Sequence, residues 1–156
     1  MLSLRAIFLA LLATACAAAP RPVRPWHLEL ASSGGIAGRG AGSYVLDSTG
    51  ALTVTTMTRK QCSYQLSDAE LQRVEKLLAA ARLGTWKESY LPENTCCDRI
   101  EWDLTIDRAG TKRATKWLDE PPLPKDLVAL VHAIVAPGDP HALASVYAER
   151  CRSNQP

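Results

Sequence analysis

The sequence predicts an α+β fold, an antiparallel β-sheet of four to five strands with two main helices packed on one face. Three observations lead there. Apolar and polar side chains alternate with period two in several short runs, the signature of half-buried strands. Two further stretches place their apolar residues at helical spacing. The connections between most successive strand candidates are short, so antiparallel pairing is favoured over the long crossovers of a parallel sheet. At 156 residues and 47% hydrophobic composition, the chain has the size and apolar content of one domain with a buried core.

The elements follow in chain order. Residues 26–31 (WHLELA) put Trp26, Leu28 and Leu30 on one side of a strand, with His27, Glu29 and Ala31 on the other. Residues 34–42 then hold five glycines in nine positions, a backbone too permissive for the middle of a regular element, so a loop is expected. A strand over 43–47, turn chemistry at Ser48, Thr49 and Gly50, and a β-branched run over 51–58 (ALTVTTMT) predict a β-hairpin. Strand character continues to Leu66, because Tyr64 and Leu66 share a face.

Ser67 and Glu70 form a capping box flanked by Leu66 and Leu71 at the hydrophobic-staple positions, so a helix starts there. Its stripe is Leu71, Val74, Leu77, Leu78 and Ala81. Asp68 and Glu70 suit its positive end and Arg82 its negative end, and Gly84 is expected to terminate it.

After a loop containing Pro92, Ile100, Trp102, Leu104 and Ile106 alternate with Glu101, Asp103, Thr105 and Asp107, a clean strand pattern. Ala109 and Gly110 make a turn into a more polar strand over 111–118. Prolines at 121, 122 and 124 break it. A helix over 124–135 carries Leu127, Leu130, Val131 and Ile134 on one side, and a last short helix is expected over 141–150.

The amino terminus reads as an address. Arg5 precedes a nearly pure apolar run over 6–12, too short to span a bilayer stably, so residues 1–15 are expected to be a signal peptide. Residues 11–15 lead into Cys16 in a way that resembles the bacterial lipobox, which makes Cys16 the expected lipidation site. Cleavage after Ala17 is the competing reading, because Ala15 and Ala17 supply a small-x-small pattern. Residues 16–25, rich in Pro and Ala, would then be a lipidated tether, and residues 26–156 the single α+β domain. The expected location is the bacterial cell envelope, on the periplasmic side or outer membrane, with the lipid as membrane anchor; without the lipid, the chain would be periplasmic or secreted.

Lipidation at Cys16 leaves an even set, Cys62, Cys96, Cys97 and Cys151, which an oxidising compartment would convert to disulfides. The preferred framework ties one of the adjacent pair to Cys62 and the other to Cys151. A vicinal Cys96–Cys97 bond is the other possibility, and all three connectivities are open.

A net charge of +2 with 22% charged residues lacks the basic excess of a nucleic-acid binder. The glycine run is not a phosphate loop: it has no Gly-Lys-Ser/Thr ending, it misses the G-x-G-x-x-G spacing, and a strand follows it. Its two remaining readings are a structural passage between strands and a partner-binding loop. His27, His132 and His141 are scattered without metal-ligand spacing, so no metal or cofactor is expected. Glu101, Asp103 and Asp107 alternate with apolar residues as the solvated face of a strand would, and Ser32, Ser33 and Ser43 lack a nucleophile elbow. No enzyme is expected.

The string Ser33, Gly34, Gly35, Ile36, Ala37, Gly38 adds a resemblance. Followed by a hairpin, a Leu-Ser-x-x-Glu-Leu helix start over 66–71, a second strand pair and a Pro-led helix, it resembles the emfourin family of small protein inhibitors of thermolysin-type metallopeptidases. The likeness runs over about residues 28–135; the signal, the cysteines and the last helix depart from it. It implies a protein partner, a thermolysin-type metalloprotease, met by those six residues. The alternative is a structural or assembly lipoprotein of the envelope without inhibitory activity.

Overall fold

A computed structural model describes residues 25–35, 40–93, 99–118 and 122–135. Chain order runs β1 (Trp26–Gly34), β2 (Gly42–Asp47), β3 (Ala51–Thr56), β4 (Gln61–Gln65), α1 (Asp68–Ala80), a 3-10 turn (Leu83–Thr85), β5 (Ser89–Tyr90), β6 (Ile100–Arg108), β7 (Thr111–Leu118) and α2 (Lys125–Val135). The strands form one seven-stranded sheet in the order β4-β3-β2-β1-β6-β7-β5. The α+β class and the two helices agree with expectation. The sheet is larger than the four to five strands expected and is not purely antiparallel, because β5 runs parallel to β7.

Both differences have local causes. Arg59 takes a positive φ of 64° and turns the chain at the end of β3, so β4 is a separate strand instead of an extension. β5 has two residues, too few to show any period. Its place in the sheet follows the chain: β4 and β5 are opposite edges among the described strands, and the excursion through α1 and the 3-10 turn takes the chain from one edge to the other. Six strand spacings amount to about 29 Å. Thirteen helical residues supply about 20 Å of that, and residues 81–88 the rest.

Among the described residues one sheet face is buried. Leu28, Leu30, Leu46, Leu52, Val54, Leu104 and Ile106 point toward the helices, joined by Val74 and Leu78 of α1 and by Leu127, Leu130, Ala133 and Ile134 of α2. The alternate residues, among them His27, Glu29, Ser63 and Asp103, are exposed on the other face. Trp102 and Trp117, directly opposite each other on β6 and β7, stack with ring centroids 6.5 Å apart.

The start of α1 is as read: Ser67 Oγ accepts from the Glu70 N–H at 3.4 Å, and Glu70 Oε2 accepts from the Ser67 N–H at 2.8 Å. Its end is different. The helix stops at Ala80, Ala81 is extended, and Gly84 lies inside the following 3-10 turn. A distant contact explains this: Asp126, at the start of α2, accepts from the Arg82 N–H at 2.9 Å and from Trp86 Nε1 at 3.2 Å. These bonds hold the chain leaving α1 against α2, and no C-terminal glycine is required. The expected helix over 141–150 lies outside the described residues.

Candidate functional site

The β1–β2 hairpin is the part of the fold that the sequence singled out, and its base is tightly built. β1 pairs with β2 through Ala31 and Ser43 and with β6 as far as Gly34 and Ile100. Beyond that point Ser32 acts as a clamp. Its Oγ donates to the Gly42 carbonyl at 2.7 Å and accepts from the N–H groups of Ala41 at 2.7 Å and Gly42 at 2.9 Å. Gly40 N–H donates to the Gly34 carbonyl at 2.9 Å, and Gly35 N–H donates to the Arg99 carbonyl at 2.9 Å. Both ends of the segment between residues 35 and 40 are therefore fixed.

Two glycines show why the residue type matters. Gly34 has φ +84°, and a Cβ there would sit 2.4 Å from the Arg99 carbonyl oxygen; Gly40 has φ +63°, and a Cβ there would sit 2.3 Å from the Ser32 carbonyl oxygen. Neither position accepts a side chain without moving backbone. Gly35 is different, since a Cβ would meet only Ile100 Cγ1, at 3.6 Å, although its φ is +69°.

Of the six residues expected to meet a partner, Ser33 is exposed on the sheet face away from the helices, and Gly34 and Gly35 are half-buried at the hairpin base. Ile36, Ala37 and Gly38 lie outside the described residues. Ser32, weighed in the sequence only as a nucleophile, is the residue that organises the hairpin. The signal available for it was its place one turn of chain before a glycine-rich run, where short hydroxyl side chains bond to main chain.

Cys62 is disulfide-bonded, and its partner lies outside the described residues. It stands on β4 opposite Val54, on the helix-facing side of an edge strand. Cys16, Cys96, Cys97 and Cys151 lie outside the described residues, so the pairing is open.

The other candidates are dispersed. Among the described residues no group of three or more His, Cys, Asp or Glu side chains is placed to hold a metal ion. Asp103 stands opposite Lys116 and Asp107 opposite Lys112, in the cross-strand arrangement of a solvated face. Asp107 also accepts from the Gly110 N–H at 3.1 Å, a turn role. His27 lies between Asp47 and Asp107 in register and is exposed.

Two carboxylates have lowered pKa values, and both are structural. For Asp47 partial burial opposes ionisation, but bonds from the Thr49 hydroxyl and N–H and from the Ala51 N–H outweigh it. For Asp126 the Arg82 N–H is the leading cause, with Trp86 assisting against burial. A groove of about 320 Å³ between α1 and α2 is floored by Leu77, Leu123, Val128 and Ala129 and flanked by Arg73, Lys125 and His132. No helix among the described residues is long and apolar enough to cross a membrane.

This geometry can present main chain at the hairpin base to a partner. Compared with protein-family models, with curated proteins and with solved structures, the chain finds no match in any of the three.

Proposed function

We propose that the protein is an exported, lipid-anchored, non-catalytic binding module of the cell envelope whose β1–β2 hairpin inhibits a thermolysin-type metallopeptidase. The observation that carries the reading is the clamp at the hairpin base. Three hydrogen bonds to one Ser32 oxygen, and two more made by Gly35 and Gly40, hold the ends of the segment that bears the Ser-Gly-Gly-Ile-Ala-Gly string. A loop fixed at both ends loses less conformational entropy when it binds than a free one, which favours recognition by an exposed segment. The resemblance of that string to the emfourin family supplies the target class. The leader, Cys16 and a disulfide at Cys62 are the features that support export.

The test is an inhibition titration. The full chain, purified without its leader, should inhibit a thermolysin-type enzyme at micromolar concentration; an enzyme that stays fully active there removes the inhibitory reading.

A second reading, a structural or assembly lipoprotein, is favoured by the closeness of Gly34 and Gly40 to neighbouring main chain, which would be required of a tight passage whatever it binds. On that reading, Gly34→Ala lowers stability without selectively removing any partner.

A further inference from the structure

β5 covers only one end of β7. Ser89 and Tyr90 pair with Lys116 and Trp117, so residues 111–115 of the eight-residue strand have no strand neighbour on that side among the described residues. The direction of the main-chain groups follows from the β6–β7 turn. With two residues, Ala109 and Gly110, between Arg108 and Thr111, the closing pair is hydrogen-bonded, and so is every second pair after it. Arg113 and Thr115 therefore bond to β6, whereas Lys112, Ala114 and Lys116 aim N–H and C=O outward. Lys116 confirms this phase, since its N–H donates to the Glu88 carbonyl at 3.1 Å. The outward groups of Lys112 and Ala114 remain at the open edge.

Ahead of Glu88 the described chain is held beside β7 through side chains. Thr115 Oγ1 donates to the Lys87 carbonyl at 2.8 Å, and the Arg113 guanidinium donates to the Trp86 carbonyl. A concavity of about 350 Å³ opens here, with Lys112, Arg113 and Lys116 as cations against Glu88 and Asp103 as acids. Arg113 Nε is buried in the same place without a hydrogen-bond partner among the described residues. Ala114 contributes no bulk to the lining.

We propose that this edge is a docking site for an extended acidic peptide, which adds as a strand beside residues 111–115. Main-chain bonds to Lys112 and Ala114 would set its register, and the excess of cations would select its charge. The lysines also argue against a second copy of the chain as the occupant, because pairing like edges would bring cations together. The site is at the opposite end of the sheet from the β1–β2 hairpin, since Gly34 lies level with Ile100 and Trp26 with Arg108. It stands or falls independently of the inhibitory reading.

The probes are two end-blocked, fluorescein-labelled octapeptides, one alternating threonine with glutamate and one alternating threonine with lysine, titrated with the full chain and followed by anisotropy. The glutamate peptide should bind at least ten-fold more tightly than the lysine peptide, and Ala114→Pro should weaken it at least ten-fold. Because the Ala114 N–H serves no β6 bond, proline there is compatible with an edge strand. Should that variant fail to fold, amide exchange on the wild-type chain decides: the glutamate peptide should slow exchange at Lys112 and Ala114 while leaving Arg113 and Thr115 unchanged. Absence of binding, equal affinity for the two peptides, no protection at those two amides, or self-association through the edge without peptide binding would each overturn the proposal.

Discussion

Ala109 has φ 53° and Gly110 φ 82°, so both central positions of the β6–β7 turn are left-handed, the pattern of a type I′ turn. An L-residue with a Cβ pays about 1–2 kcal/mol there, and asparagine is tolerated better than alanine. Ala109→Asn should raise the unfolding free energy by about 1 kcal/mol in urea; no gain would show that the turn is not of this type. Asp126 is the second informative residue. Its lowered pKa means its contribution is fully present above the unfolded carboxylate value and is lost as pH falls through the lower folded value. Asp126→Asn should therefore cost about 1–2 kcal/mol at neutral pH and less at an acidic pH below its lowered folded value, where the native acid is itself protonated. An equal loss at both pH values would mean that charge is not what Asp126 contributes. The turn at Ala109 and Gly110 was legible in the sequence, whereas the role of Asp126 was not: its contacts span 40 and 44 positions, and local pattern carries no such distance.

At the scale of elements, what is local was readable and what is remote was not. The capping box needs only Ser67 and Glu70, three positions apart, and the α1 start was legible from them. Ser67→Ala should accordingly lower stability by about 1 kcal/mol in thermal unfolding. A loss near zero would indicate that packing of Val74 and Leu78 alone sets the helix start. The alternation in β6 was equally plain, because eight of its nine residues, Glu101 to Arg108, stand in a regular ladder between β1 and β7. Gly84 misled for the opposite reason: glycine is a good helix stop in general, but a contact from α2 ends α1 earlier. β5 escaped notice because its two residues owe their conformation to β7, with Lys116 and Trp117 as partners. In the hairpin, the strands run further than the expected loop allowed, β1 to Gly34 and β2 from Gly42, and the middle of the glycine run lies outside the described residues; the clamp depended on how closely Ser32 approaches Gly42 across the hairpin.

At the largest scale, among the described residues one sheet with helices on a single face leaves an apolar layer of limited thickness, and the strand β4 has five residues and one neighbouring strand. The disulfide at Cys62 fastens that edge to a chain segment elsewhere. Its reduction should lower the unfolding free energy by about 2–4 kcal/mol, read as a shift in denaturation midpoint with and without reductant. An unchanged midpoint would show the bond to be dispensable. The same architecture separates the two proposed surfaces, with the clamped hairpin at one end of the sheet and the β7 edge at the other. Ser33 joins the fold to the function most directly, being exposed, beside the clamp and opposite Glu101 in register. The decisive measurement is the inhibition constant of Ser33→Lys against a thermolysin-type enzyme, taken together with its melting temperature. A hairpin that meets the protease should give at least a ten-fold weaker inhibitor at unchanged melting temperature; an inhibition constant equal to that of the wild type would contradict it.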